Sequence, residues 1–255
     1  MNQLTYVGHA TILIEIDGVR LLTDPLLTPR VSHLLRTSIV PDLDAPRLDA
    51  ILLSHLHADH LHLRSMHRLG TDHLIVAPRG AAGFLARHGF KRVVEMVVGE
   101  TLRIEGVDIT ATPANHPSRP MPGRPKTDCL GYVISGRRRI YFTGDTDLFD
   151  GMADLSPAPD VALLPVWGWG PTLGAGHLDP YRAAQALELL RPSLAIPIHW
   201  GTYFPAGLRP LLPHLVRQPP HTFAQFAHDL APDVAVRVLA PGDALDLTGF
   251  YEQMG

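Results

Sequence analysis

Short apolar runs rich in β-branched side chains dominate the chain, the pattern of strands rather than of long helices. Thr11 to Ile16 and Val19 to Leu22 flank the tight-turn dipeptide Asp17-Gly18 and predict a hairpin. Residues 26 to 47 carry several prolines and no clear period, which predicts a loop over one face. Asp49 to Leu53 reads as a short buried strand. A helix is expected over Leu63 to Leu69, a strand over Leu74 to Ala77 and a short helix over Ala81 to His88. Val93 to Val98, Thr101 to Ile104 and Val107 to Ala111 read as successive strands separated by Gly99 and Gly106. Residues 117 to 128 form a loop by composition. Leu130 to Ser135 and Arg139 to Phe142 predict a hairpin around Gly136, and Val161 to Val166 another buried strand. Asp179-Pro180 is a helix start, with Asp as N-cap and Pro in the first turn. Ala183, Ala184, Leu187 and Leu190 then share one face. Leu194 to Ile198 is a strand ending at His199. Thr222 and Gln225 form a capping box for a helix carrying Phe223, Phe226, Ala227 and Leu230, and Val234 to Leu239 is expected as a last strand. Two similar halves of strands followed by helices predict an α/β fold of two sheets packed face to face with helices outside. No linker divides residues 1–255, so one domain is expected.

Composition narrows the function classes. Hydrophobic residues make up 45% and charged residues 18%, enough for a large core. A net charge of -3 gives no footprint for non-specific nucleic-acid binding. The single cysteine, Cys129, excludes an intramolecular disulfide and fits a reducing cytoplasm, where the protein is expected. No basic-then-apolar N-terminal stretch predicts a signal peptide, and no apolar run is long enough to span a bilayer.

The chemistry lies in six residues. His55 to His60 read His-Leu-His-Ala-Asp-His, directly after the apolar Ile51-Leu52-Leu53. Imidazole and carboxylate are the donors of zinc, manganese and iron sites, and a strand ending abruptly in a turn can aim several at one point. Further candidates also sit at strand ends: His116 after Ile109-Thr110-Ala111-Thr112, Asp145 after Ile140 to Gly144, and His199 after Ala195 to Ile198. His55, His57, Asp59, His60, His116, Asp145 and His199 make seven. One bridging carboxylate with six terminal ligands gives two metals, which at about 3.5–4 Å apart can activate a shared water.

This pattern resembles the metallo-β-lactamase superfamily, whose motif is His-x-His-x-Asp-His followed by a distant His, a distant Asp and a final His. Within it, the chain is similar to the branch containing N-acyl-phosphatidylethanolamine-hydrolysing phospholipase D and ascorbate-6-phosphate lactonase. The blocks carrying that likeness are Gly8-His9-Ala10-Thr11, Leu22-Thr23-Asp24-Pro25, Tyr141 to Thr146, Gly176-His177-Leu178-Asp179-Pro180 and Ile198-His199-Trp200-Gly201-Thr202. The resemblance implies a four-layer αββα sandwich with the metals at one edge of the sheets. It implies His55, His57 and His116 on the first metal, Asp59, His60 and His199 on the second, and Asp145 as the bridge. The nucleophile it implies is a metal-bridging hydroxide. Zinc suits a histidine-rich set, and the carboxylates admit manganese or iron.

Asp59 and His177 are the candidate catalytic side chains. His177 stands before a helix N-terminus, where it binds a substrate oxyanion, protonates a leaving group or only caps the loop. His9 either reaches the pocket rim, bonds a metal ligand or is structural. Asp24 is a candidate acceptor for the free N–H of a ligand histidine, against a plain turn residue. His62 is expected in the first helical turn, not as an eighth ligand. Arg119, Arg124 and Lys126 make a cationic loop that favours an anionic substrate or is merely solvated. Trp167 and Trp169 wall the pocket or join the core. Candidate substrate contacts are thus His177, Arg119, Lys126 and Trp167.

The expected function is a binuclear metal-dependent hydrolase acting on a phosphodiester or phosphorylated small molecule. A lactonase or other carboxylic-ester or amide hydrolase is the alternative, because the same hydroxide attacks a carbonyl. A non-catalytic metal-binding scaffold is a remote third, since no ligand is missing. The expected partner is a small-molecule substrate, with no nucleic acid and with homo-oligomerisation open. Apolar residues within 26–40 (Leu26, Leu27, Val31, Leu34, Leu35, Ile39, Val40) fit a lid, a lipid-facing patch, an interface or core.

Overall fold

A computed structural model of the chain describes residues 2–117, 122–155 and 157–254. Two seven-stranded sheets form its frame. The first runs, edge to edge, through Ala244–Asp246, Gln3–Gly8, Thr11–Ile16, Val19–Thr23, Ala50–Leu52, Leu74–Pro78 and Val93–Met96. The second runs through Thr101–Ile104, Val107–Pro113, Leu130–Ser135, Arg139–Phe142, Val161–Pro165, Leu194–Ile198 and Ala235–Val236. In these directions, each sheet has three antiparallel pairings followed by three parallel ones. The two similar halves of the sequence are therefore one pairing pattern used twice.

Strand alternation builds the layers. Side chains point to opposite faces at successive positions. Ile12, Ile14, Ile16, Leu21, Ala50, Leu52 and Val76 face the core shared with Ile109, Leu130, Tyr132 and Phe142 of the second sheet. Their neighbours Leu13, Leu22, Ile51, Leu53 and Ile75 face outward, where Met66 and Leu69 of helix Leu63–Leu69 and Phe84 and Leu85 of helix Ala82–Arg87 cover them. Each such side chain, taken out of water, contributes about 1.5–3 kcal/mol. Helices Pro180–Leu190 and Pro213–Leu230 cover the second sheet through Ala183, Leu187, Phe223 and Ala227. The fold is the αββα sandwich. Among the described residues no helix is long and apolar enough to cross a membrane.

Several elements match the pattern closely. Asp17 and Gly18 both have positive φ (50° and 89°), the geometry of a type I′ hairpin turn. Asp179 caps its helix by accepting from the Arg182 N–H at 2.8 Å. His62 caps helix Leu63–Leu69, its Nδ1 accepting from the Ser65 N–H at 3.3 Å.

Others differ. Residues 26–47 hold two short strands, Arg30–Val31 and Leu34–Arg36, which join Tyr203–Pro205 in a small third sheet. Thr222 is no cap: the helix starts at Pro213 and runs through Pro219 and Pro220. An interior proline costs about 3 kcal/mol, but Val216, Pro219, Pro220, Phe223 and Ala227 form one buried stripe, and burial at about 1.5–3 kcal/mol per large side chain offsets it. The strand expected over Val234 to Leu239 is only Ala235–Val236. The chain then crosses to the first sheet, where Gly242 donates to Tyr6 O at 2.6 Å and Ala244–Asp246 pairs with Gln3–Thr5.

Candidate metal centre

Turns at the C-terminal ends of strands from both sheets converge on one spot. His9 follows Gln3–Gly8, Asp24 follows Val19–Thr23, and His55 follows Ala50–Leu52. His116, Asp145 and His199 follow Val107–Pro113, Arg139–Phe142 and Leu194–Ile198. His9, Asp24 and His199 adopt left-handed backbone at φ 58°, 33° and 60°. That conformation is costly for non-glycine residues, which hold it only where the surroundings enforce it.

Hydrogen bonds behind the cluster orient the rings. His60 Nδ1–H donates to Asp24 Oδ2 at 2.7 Å. Asp24 is fully buried and is itself fixed by the Ser54 N–H at 2.7 Å and by the Ser54 hydroxyl. The same hydroxyl oxygen accepts from His55 Nδ1–H at 2.9 Å. His116 Nδ1–H donates to Gly176 O at 2.7 Å, and His199 Nδ1–H to Trp167 O at 2.9 Å. Carbonyl and carboxylate oxygens only accept, so the hydrogen sits on Nδ1 of His60, His116 and His199, and because the Ser54 hydroxyl hydrogen goes to Asp24 it sits there on His55 too; Nε2 of each ring faces inward.

Two donor sets result. His55, His57 and His116 form one, with His57 Nδ1 3.1 Å from His116 Nε2. Asp59, His60 and His199, with His9 beside them, form the other. In this second set His60 Nε2 and His199 Nε2 lie 3.2 Å apart. With both Nδ1 hydrogens committed elsewhere, two neutral rings would set lone pair against lone pair, so a positive charge belongs between them. Donors held tetrahedrally at about 2.0–2.1 Å from an ion lie about 3.4 Å apart. Asp145 lies against the second set and near the first. Its Oδ2 is 3.1 Å from His60 Nε2, its Oδ1 3.2 Å from His199 Nε2, and it groups with His116 and His177. His55 Nε2 and Asp145 Oδ1 are buried with no hydrogen-bond partner, as donors kept for an ion would be.

Titration fits the same use. Burial, reinforced by His60, holds the His55 imidazole well below the ordinary histidine value. Burial also lowers His57 and His116 and takes His199 down to about 3. These rings are neutral, the form that binds metal. His60 is the exception: burial opposes its charge, but Asp145, Asp59 and Asp24 raise it well above the ordinary value. Burial likewise opposes ionisation of Asp59 and Asp145, yet His60 and His9 hold Asp59, and His199 and His60 hold Asp145, well below the usual carboxylate range. In the second set, His60 is thus the ring whose charged form the surrounding carboxylates favour.

Residues 19–200 match the family model described as Beta-lactamase superfamily domain. The chain belongs to the β-lactamase superfamily. A UPF0173 metal-dependent hydrolase of Methanopyrus kandleri is 34% identical over 254 residues, covering 96% of this chain and 99% of the relative. Another from Thermus thermophilus is 33% identical, covering 97% and 100%. Among solved structures, Igni18, a novel metallo hydrolase from the archaeon Ignicoccus hospitalis, superposes with a TM-score of 0.74 at 28% identity over 95% of this chain and 97% of its own. An isothiocyanate hydrolase from Delia radicum gut bacteria superposes at 0.75 but is 18% identical, covering 96% and 98%, and so speaks for the fold alone. The protein is a metal-dependent hydrolase of this superfamily.

Around the donors of this superfamily hydrolase, the other sequence candidates separate. His177 comes to the cluster: its Nε2 is 3.3 Å from Asp145 Oδ2, its ring 4.7 Å from that of His116, and its Nδ1–H donates to Gly174 O at 3.1 Å. Burial lowers its pKa, but the Asp145 carboxylate outweighs that and the net shift is upward. His9 Nε2 lies 3.0 Å from Asp59 Oδ2. Arg124 is tied in part to the backbone of the ligand turn. Its guanidinium donates to Leu56 O at 2.6 Å and Leu61 O at 2.9 Å and so clamps the ligand turn from behind. Lys126 is exposed, with no side-chain hydrogen bond or ion pair to the donors among the described residues. Arg119 lies outside the described residues. Trp167 packs against the core, its Nε1–H on Gly170 O at 3.1 Å, and serves the site through its carbonyl. Trp169 is the more exposed ring and meets His33 edge-on at 5.5 Å. Sequence reading misses Ser54 and the Arg124 clamp. Ser54 directly precedes the motif, which is a usable signal, whereas no local pattern foretells the clamp.

Proposed function

We propose that the protein is a two-ion hydrolase of phosphodiesters or other phosphorylated small molecules. The observation that carries the metal-dependent part of this reading is the facing pair His60 Nε2 and His199 Nε2, 3.2 Å apart with both outer nitrogens committed. The separate set His55, His57 and His116 supports a second ion. His55, His57 and His116 would hold one ion, Asp59, His60 and His199 the other, with Asp145 reaching both. Bound there, divalent ions supply hydroxide from water at neutral pH and offset charge on the attacked group. Imidazole-rich sets favour zinc, and Asp59 and Asp145 admit manganese or iron.

The chain's own residues orient and protonate. Asp24, Ser54, Gly176 O and Trp167 O keep the rings turned inward. His177, whose side chain is 21% exposed, stands beside Asp145 on the open side of the cluster, where a leaving group would depart. Its Nδ1–H is held by Gly174 O, so Nε2 is the atom that carries a proton to the leaving oxygen. His177→Ala is expected to keep both ions and to lower turnover about 10²–10⁴-fold. Loss of an ion from that variant would make His177 a ligand instead.

A carboxylic-ester or lactone substrate is the second reading: hydroxide in the same place attacks a carbonyl as readily as a phosphorus, and the Nη1 of Arg124, one of the cations expected to meet phosphate, is held by carbonyls of the ligand turn. A panel of bis-aryl phosphodiesters, phosphorylated lactones and simple lactones, assayed after loading with zinc, manganese or iron separately, decides between them. Phosphodiester turnover is the expected result. Turnover of lactones alone would overturn the preferred substrate class.

A further inference from the structure

We propose that His9 is a positioning residue for the second ion alone, acting through Asp59; this rests on the two-ion reading above. His9 is buried at 1% exposure and is contributed by a strand that brings none of the seven candidate ligands. It meets all three donors of the second set, Asp59 and His199 most closely, with its ring 5.6 Å from that of His60. Its Nε2 donates to Asp59 Oδ2 at 3.0 Å, and its ring lies 3.8 Å, centroid to centroid, from the ring of His199. Its carbonyl also accepts from the His199 N–H at 2.8 Å. Among the described residues no hydrogen bond or ring contact joins His9 to His55, His57 or His116.

The backbone is built to deliver this ring. His9 sits at φ 58°, and its N–H is held by Thr202 Oγ1 at 2.7 Å. The preceding Gly8, at φ 128°, packs so closely on Thr202 that a Cβ there would fall 2.6 Å from Thr202 Cγ2. A left-handed histidine is kept only by such surroundings.

The need is specific to Asp59. A carboxylate on a turn is free to rotate, and Asp59 is 18% exposed at its side chain, unlike the fully buried His60. A donor on Oδ2 fixes the carboxylate plane, with that oxygen 3.7 Å from His60 Nε2 and 3.8 Å from His199 Nε2. The hydrogen carried on His9 Nε2 makes it a donor to the ligand rather than a ligand. Partners of this kind typically change metal affinity about 10–100-fold.

The test is a Zn(II) titration of the chelator-stripped full chain, followed by calorimetry, for wild type, His9→Asn and His9→Gln. Asn tolerates the left-handed backbone but is too short to reach Asp59, whereas the Gln amide nitrogen reaches the place of Nε2. Wild type is expected to take two ions. His9→Asn should keep the first within about twofold and weaken the second about 10–100-fold, and His9→Gln should restore it. Equal loss of the second ion in both variants overturns the hydrogen-bond role, as does weakening of both ions together. Two ions at unchanged affinity in His9→Asn overturn the inference alone. A wild-type chain that takes one ion overturns the two-ion reading and this inference with it.

Discussion

Replacing Asp145 with alanine will empty or weaken both ion positions and cut turnover at least about 10³-fold, the equivalent of roughly 4 kcal/mol of transition-state stabilisation. Asp145 Oδ2 lies 3.1 Å from His60 Nε2, Oδ1 lies 3.2 Å from His199 Nε2, and the group containing His116 and His177 closes on the same carboxylate. Alanine removes the carboxylate proposed to serve both ions and the partner of His177 at once. Asp145→Asn keeps the volume but not the charge and should fall between alanine and wild type. Ion content measured by plasma mass spectrometry beside turnover gives the check. A variant that retains two ions at full strength would remove Asp145 from the bridge.

Stripping the ions will also lower the melting temperature sharply. An ion present at about a thousand times its dissociation constant stabilises the folded chain by about 4.1 kcal/mol. For a domain near this size each kcal/mol moves the midpoint by about 2–4 °C, so each tightly held ion raises it by roughly 8–16 °C. The cause is visible in the buried groups. Asp24, Asp59 and Asp145 crowd on His60, and the imidazole Nε2 atoms face one another. Without ions these buried negative and lone-pair sites lose the positive charge that would offset them, and burial makes that mismatch costly. Scanning calorimetry with excess chelator, then with zinc restored, reads the effect. A midpoint that stays put through both steps would mean the donors hold nothing of consequence.

The donor residues are readable because their chemistry is local. His55 to His60 is a six-residue motif, and His116, Asp145 and His199 each stand just beyond an apolar strand. Strands such as Thr11–Ile16, Leu130–Ser135 and Leu194–Ile198 have enough positions for a period or a continuous apolar run to register. Strands of two and three residues, Arg30–Val31 and Leu34–Arg36, do not, and they hide in an apparent loop. The start of helix Pro213–Leu230 is misplaced because Thr222 and Gln225 imitate a capping box, while the buried stripe that runs through Pro219 and Pro220 becomes a face only once packed.

The supporting contacts are harder still to read. His9 meets Asp59 across fifty positions of sequence, and Arg124 meets Leu56 O across sixty-eight. A cation in a polar loop looks the same on paper whether it faces a substrate or three backbone carbonyls. Only the fold decides, and for Arg124 it decides for the carbonyls.

Everything proposed for this cluster depends on its holding two ions, divided between His55, His57 and His116 on one side and Asp59, His60 and His199 on the other. A crystal of the zinc-loaded protein, measured on both sides of the zinc absorption edge, shows that division or its absence. Two anomalous peaks about 3.5–4 Å apart are expected, one in each set, with Asp145 between them. A single peak, or two peaks outside these sets, would refute the two-ion centre.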